Sequence, residues 1–133
     1  MLRVVLDTHA VIWYLFADSR LSITALRLIE QIAIDGNQVA FSSITLAEIV
    51  YLSEKGRIDR TTLTRLLSEV DSEDALLVEI AFDKSVAQAM PQVERSQVPD
   101  LPDRIIAATA LSLQLPLVSR DRKIQMSSVE TIW

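Results

Sequence analysis

A chain of 133 residues is long enough to bury one core and too short for two, so a single domain spanning residues 1–133 is expected. With no cysteine, disulfides, thiolate metal sites and cysteine nucleophiles are excluded, and a bound metal must rest on oxygen ligands. A formal charge of −5 and a pI near 4.8 argue against a protein that grips nucleic acid by bulk positive charge, while leaving room for a nuclease whose acids are neutralised by metal.

Met1 runs directly into a β-branched segment, residues 3–6, the first predicted strand. No basic flank, apolar stretch and small-residue cleavage site precede it, so the expected location is the cytoplasm. The next segment, THAVIWYLF, is apolar nearly all round, as a helix buried on most sides would be. Ser22 offers an N-cap to a second helix with Ile23, Leu26, Ile29 and Ala33 on one stripe, closed by the turn Asp35, Gly36, Asn37. Residues 39–42 form the second strand, and a helix from about Leu46 stops before Gly56. Another begins near Thr61 or Thr62, with Leu63, Leu66, Leu67 and Val70 on its inner face.

LLVEI, residues 76–80, is the third strand, and a short helix from about Lys84 ends at Pro91. QVERSQVPDLP reads as the longest loop, leading to the helix DRIIAATALSLQ. The fourth strand is PLVS, residues 116–119, followed by a charged turn, RDRK, and a last strand near Val129 to Ile132. Strands alternating with helices predict a three-layer α/β/α fold around a parallel five-stranded sheet. Charge interrupts every apolar run before the roughly 18 residues of a membrane span, so no membrane association is expected.

In such a sheet, ligands bind beyond the carboxyl ends of the strands. Asp7 and Asp121 follow strands directly, Glu48 lies in the first turn after the second strand, and Asp103 opens the helix after the long loop. Each acid has a plain structural explanation: Asp7 as an N-cap, Thr45 with Glu48 as a capping box, Asp103 at a helix N-terminus, Asp121 in a turn. Capping does not explain why all four should gather on one rim. Two carboxylates about 5 Å apart repel by roughly 3 kcal/mol at an effective dielectric near 20, so a cluster of four expects a cation. An all-carboxylate site suits Mg²⁺ or Mn²⁺, and two such ions about 4 Å apart can activate water and stabilise the leaving oxygen of a phosphodiester. There is no Gly-rich phosphate loop, serine elbow or His pair at ligand spacing, and with two glycines a dinucleotide fold is not expected.

The stretches VVLDTHAVIWYL, ITLAEIVYL, PDLPDRIIAATA and LVSRD resemble, in order, the successive motifs of PIN-domain proteins over nearly the whole chain. Asp-Thr-His followed by a tryptophan, with Asp18, Arg20, Leu21 and Ser22 downstream, resembles a subgroup of bacterial VapC-type toxins. The resemblance implies an endoribonuclease dependent on Mg²⁺ or Mn²⁺, acting on RNA as the toxin of a toxin-antitoxin pair and inhibited by a small antitoxin protein. It assigns Asp7, Glu48, Asp103 and Asp121 to the acidic catalytic and metal-binding quartet, with Asp100 and Ser119 behind it. The order DLPD departs from the frequent Asp-Pro order of that loop.

Thr8 and Ser119 are candidates for orienting a carboxylate or a metal-bound water. Arg104, Arg120, Arg122 and Lys123 flank the last two acids and are candidates for RNA phosphate contacts. His9, the single histidine, is expected to be packed or hydrogen-bonded rather than a general base. Trp13 and Tyr14 are expected in the core or on a dimer surface rather than as base-stacking platforms. The 50% hydrophobic content and mean hydropathy of +0.27 suggest apolar surface covered by a partner, in the first place a homodimer. Two other classes fit less well. A phosphoacceptor receiver would carry paired acids after the first strand, where Asp7 is followed by Thr-His, and a non-catalytic binding module would have lost an acid. A PIN nuclease of RNA processing remains the alternative within the family.

Overall fold

The computed structural model describes all residues, Met1 to Trp133, as five parallel strands with helices on both faces. The strands are β1 (Leu2–Leu6), β2 (Gln38–Ser42), β3 (Leu77–Ile80), β4 (Leu117–Val118) and β5 (Thr131–Ile132), in the order β3-β2-β1-β4-β5. Chain order reverses beside β1, which lies between β2 and β4, and that is where a parallel sheet opens a crevice beyond its strand ends.

Alternation along each strand divides the core in two. Val4 and Leu6 of β1, with Val39 and Phe41 of β2, face α1 (Thr8–Leu15), α2 (Ile23–Ile34), α4 (Thr62–Val70) and Ile49 of α3 (Ile44–Glu54). Val5, Ala40 and Leu117 face α5 (Lys84–Ala89), α6 (Leu101–Leu113) and α7 (Arg122–Gln125). The central strands are therefore apolar on both faces, as a covered parallel sheet requires. No helix is long and apolar enough to cross a membrane.

Four local expectations change. Helix α3 starts at Ile44, so Thr45 lies inside it rather than at its N-cap and forms no capping box with Glu48. Ser43 is the cap residue, and its hydroxyl instead accepts from the Phe82 amide at 3.0 Å, tying α3 to the end of β3. Helix α6 starts at Leu101, with Asp100 as N-cap and Pro102 in the first turn, where a missing N–H costs nothing. The long loop is thereby shortened and anchored by buried Val93 and Val98, after a 3₁₀ turn at Met90–Gln92. The charged RDRK turn is a short helix, α7, because the Asp121 carboxylate accepts from the amides of Lys123 and Ile124. The inner helix faces also shift: Leu67 points outward at 42% exposure, leaving Leu66 as the fully buried apolar residue of α4, and on α2 Ile23 and Ala33 are exposed while Ala25, Ile29 and Ile32 are buried.

Candidate active site

Beyond the ends of β1, β2 and β4 lies a pocket of about 390 Å³ whose wall includes Asp7, Thr8, Glu48, Asp100, Asp103 and Asp121, with His9, Trp13 and Arg120 completing it. The four acids singled out from the sequence thus come together from four separate segments. Asp7, Asp100 and Asp121 also cap helices: Asp7 accepts from Ala10 at 2.8 Å, Asp100 from Asp103 at 3.1 Å and Asp121 from Lys123 at 2.8 Å. Structural and site roles coincide, because each cap spends one carboxylate oxygen and leaves the other.

Thr8 is buried and bridges the elements behind the acids. Its hydroxyl donates to Glu48 Oε1 at 2.5 Å and lies 3.0 Å from the Thr45 hydroxyl. Because Thr8 has one proton and gives it to Glu48, the Thr45 hydroxyl is left to donate to Thr8 Oγ1. Thr45 thus belongs to a chain that orients Glu48 from β1 and α1, a role its sequence position did not suggest. Ser119, fully buried, accepts from the Asp121 amide at 3.1 Å and also supports the Asp7 carboxylate.

The electrostatics are those of crowded acids. Burial pushes the Asp7 carboxyl above its ordinary value, opposed by the Ser119 hydroxyl and the Ala10 amide, which favour the charged form. Burial also raises Glu48, opposed by Thr8. Asp103 is pushed up to about 7, first by burial and then by repulsion from Asp100, Asp121, Glu48 and Asp7. Every acid in the cluster opposes its ionisation. The donor set is all-carboxylate and under-neutralised, which fits a hard divalent cation. No three acids are drawn together tightly enough to form a closed ligand cage, and a Mg²⁺-type ion that keeps several of its waters does not require one.

This crowding sets a sign for stability against pH. Asp103 titrates near 7 in the fold and near its ordinary 3.8 when unfolded, so the folded state binds the proton more tightly between those values. The burden of the ionised carboxylate is complete above about pH 7 and is relieved as pH falls toward 4. In metal-free buffer, melting temperature should therefore rise from about pH 8 to pH 5.5. Asp103→Asn should exceed the parent at pH 8 by about 1–2 kcal/mol, the shift being discounted for solvent screening, with the gap narrowing to about half at the lower pH. Calorimetric melts at both pH values check this; a variant less stable than the parent at pH 8 would show that the attraction of the Asp103 charge to the α6 N-terminus outweighs repulsion.

The remaining candidates separate. Arg120 lines the pocket. Arg104 does not: its Nε donates to the Val93 carbonyl at 2.8 Å and its Nη2 to the Met90 carbonyl at 3.1 Å, stapling α6 to the loop before it. Arg122 and Lys123 are exposed on α7, outside the pocket wall. His9 is exposed on the pocket rim rather than packed, its ring tilted 5.5 Å from that of Trp13. Trp13 is core, at 4% exposure, and also touches the pocket. The missed signal was the i, i+4 spacing of His9 and Trp13, which stacks them on one face of the helix that Asp7 opens.

The same overall fold and a related sequence occur in known proteins. The chain is 29% identical over 125 residues to Ribonuclease VapC22 of Mycobacterium tuberculosis, covering 94% of this chain and 92% of that protein. Its fold is similar to a chain of VapBC2 from Rickettsia felis, solved with a promoter DNA fragment, at TM-score 0.72 and 20% identity over 99% and 98% of the two chains. It is also similar to a chain of a toxin-antitoxin complex from Klebsiella pneumoniae, at TM-score 0.59 and 23% identity over 98% and 96%. The PIN domain family model matches residues 4–129, taking in all five acids of the pocket. The chain belongs to the PIN domain family.

Proposed function

We propose that this chain is a divalent-metal-dependent endoribonuclease of the VapC type, the toxin of a toxin-antitoxin pair. The observation that carries the reading is the pocket where Asp7, Glu48, Asp103 and Asp121 meet, with Asp103 raised to about 7 by burial and its acidic neighbours. Its kinship with Ribonuclease VapC22 gives that chemistry a substrate class, RNA.

These four acids would hold Mg²⁺ or Mn²⁺, which when bound would polarise the phosphoryl oxygens and activate a water. The chain's own residues provide placement. Thr8, backed by Thr45, fixes the Glu48 carboxylate, while Ser119 supports Asp7 and the Asp121 loop together. Asp100 adds negative charge at the pocket wall while holding the start of α6. Arg120 offers the phosphate its positive contact. Hydrolysis adds the oxygen of water to phosphorus and breaks one P–O ester bond, leaving a phosphate end and a hydroxyl end.

The antitoxin reading is supported by an apolar groove of about 610 Å³ lined by Tyr14, Leu15, Leu21, Ile23 and Leu26, suited to an amphipathic helix. Homodimer formation is supported by exposed Val50, Tyr51, Phe82 and Leu101, not by Trp13, which is buried. The cytoplasm is the compartment in which an RNA substrate is met. Purified protein should cleave labelled single-stranded or structured RNA with Mg²⁺ or Mn²⁺, stop in chelator and resume when metal is restored. Cleavage undiminished by chelator would sink the metal-dependent mechanism.

A further inference from the structure

The indole of Trp13 carries two guanidinium groups. Arg120 Cζ lies 4.7 Å from its ring centroid and Arg20 Cζ lies 5.3 Å from it, both within cation–π range, so the two cations stand within about 10 Å of each other. We propose that Trp13 is the platform of a two-arginine clamp for the RNA backbone, Arg120 taking the phosphate at the acids and Arg20 a neighbouring phosphate. This rests on the ribonuclease reading and gives it a direction for the bound strand.

Three features favour a clamp over incidental surface charge. Arg120 is the one Arg or Lys side chain in the wall of the acid pocket, yet it forms no ion pair with the acids beside it. Its stacking on Trp13 accounts for that by offering the guanidinium an alternative seat, leaving its donors for a phosphate. Arg20 is oriented by Asp18, whose carboxylate accepts Nε at 3.1 Å and Nη2 at 2.7 Å, the one ion pair in the molecule. As an exposed pair it contributes little stability, but it fixes the direction of the guanidinium and leaves Nη1 without a partner. Trp13 itself is held rigid, buried to 4% exposure with the Trp133 ring edge-on at 5.9 Å. The Asp18, Arg20 segment and the residue between Ser119 and Asp121 thus acquire one shared function.

The test is the salt dependence of RNA binding, followed by fluorescence anisotropy with a short fluorescein-labelled single-stranded RNA in Mg²⁺ buffer. The background is Asp103→Asn, so that the probe is not cleaved. Arg120→Gln and Arg20→Gln should each flatten the slope of log Kd against log salt by about 0.7, and the double variant by about twice that. Trp13→Phe keeps the charges and most of the buried volume. It should leave the slope unchanged while raising Kd about twofold to fivefold through the weaker ring. Lys123→Gln, an exposed cation outside the pocket wall, should leave the slope near the parent's. If the parent binds RNA with a clear salt slope that neither arginine variant alters, or that Lys123→Gln lowers equally, the clamp is overturned and the ribonuclease reading stands. If the parent neither binds nor, with Asp103 restored, cleaves RNA, both fall together.

Discussion

Asp7→Asn and Asp103→Asn are each expected to reduce RNA cleavage at saturating Mg²⁺ by on the order of 100-fold or more, the scale on which removing one preorganised charge-stabilising group acts. Asp7 accepts the Ala10 amide through one oxygen, and asparagine retains a carbonyl for that cap while losing the charge a cation requires. Asp103 makes no hydrogen bond through its carboxylate and is surrounded by four other acids, so its replacement removes repulsion rather than support. Loss of activity should therefore come without loss of fold. Circular dichroism and thermal melts of the same preparations separate the two. A variant retaining more than about a tenth of parental activity would remove that acid from the mechanism.

Expression of the wild type alone in a bacterial host should arrest growth, while Asp7→Asn and Asp103→Asn at matched levels should not. An unrestrained endoribonuclease depletes RNA catalytically, so modest expression is enough to lower colony counts by orders of magnitude. The same site explains how a small partner would silence it. The pocket is strongly acidic, so a partner segment bearing Arg or Lys can pair with Asp103 and its neighbours in place of a cation. The apolar groove beside α1 and α2 would supply the affinity. A harmless wild type that nonetheless cleaves RNA in vitro would instead support an RNA-processing enzyme.

The sheet and most helices are legible in the sequence because a doubly covered parallel sheet writes short β-branched runs between amphipathic segments. Val4 to Leu6 and Val39 to Phe41 read as strands on that ground alone, and so they fold. The acids were legible because each follows a strand or opens a helix, and a parallel sheet gathers such positions at one edge. Pairwise chemistry across separate elements was not. Thr8 and Thr45 are 37 residues apart and meet only because β1 and β2 are neighbours, so a local capping box was the natural reading of Thr45. Arg104 looked like a phosphate ligand from its place beside Asp103. One residue on a helix turns a side chain by about 100°, and this one faces the loop carbonyls of Met90 and Val93.

Acids gathered to hold a divalent cation should bind Mn²⁺ directly, as titrated by calorimetry on the pure protein near pH 7.5. The wild type is expected to bind Mn²⁺ saturably and to release protons as it does so, because burial and the neighbouring acids push Asp103 up to about 7 and a cation must displace the proton it holds. Asp103→Asn and Asp7→Asn are expected to bind at least about tenfold more weakly, with less proton release from Asp103→Asn. Binding of Mn²⁺ by wild type and both variants with equal affinity, or by none of them, would contradict the account.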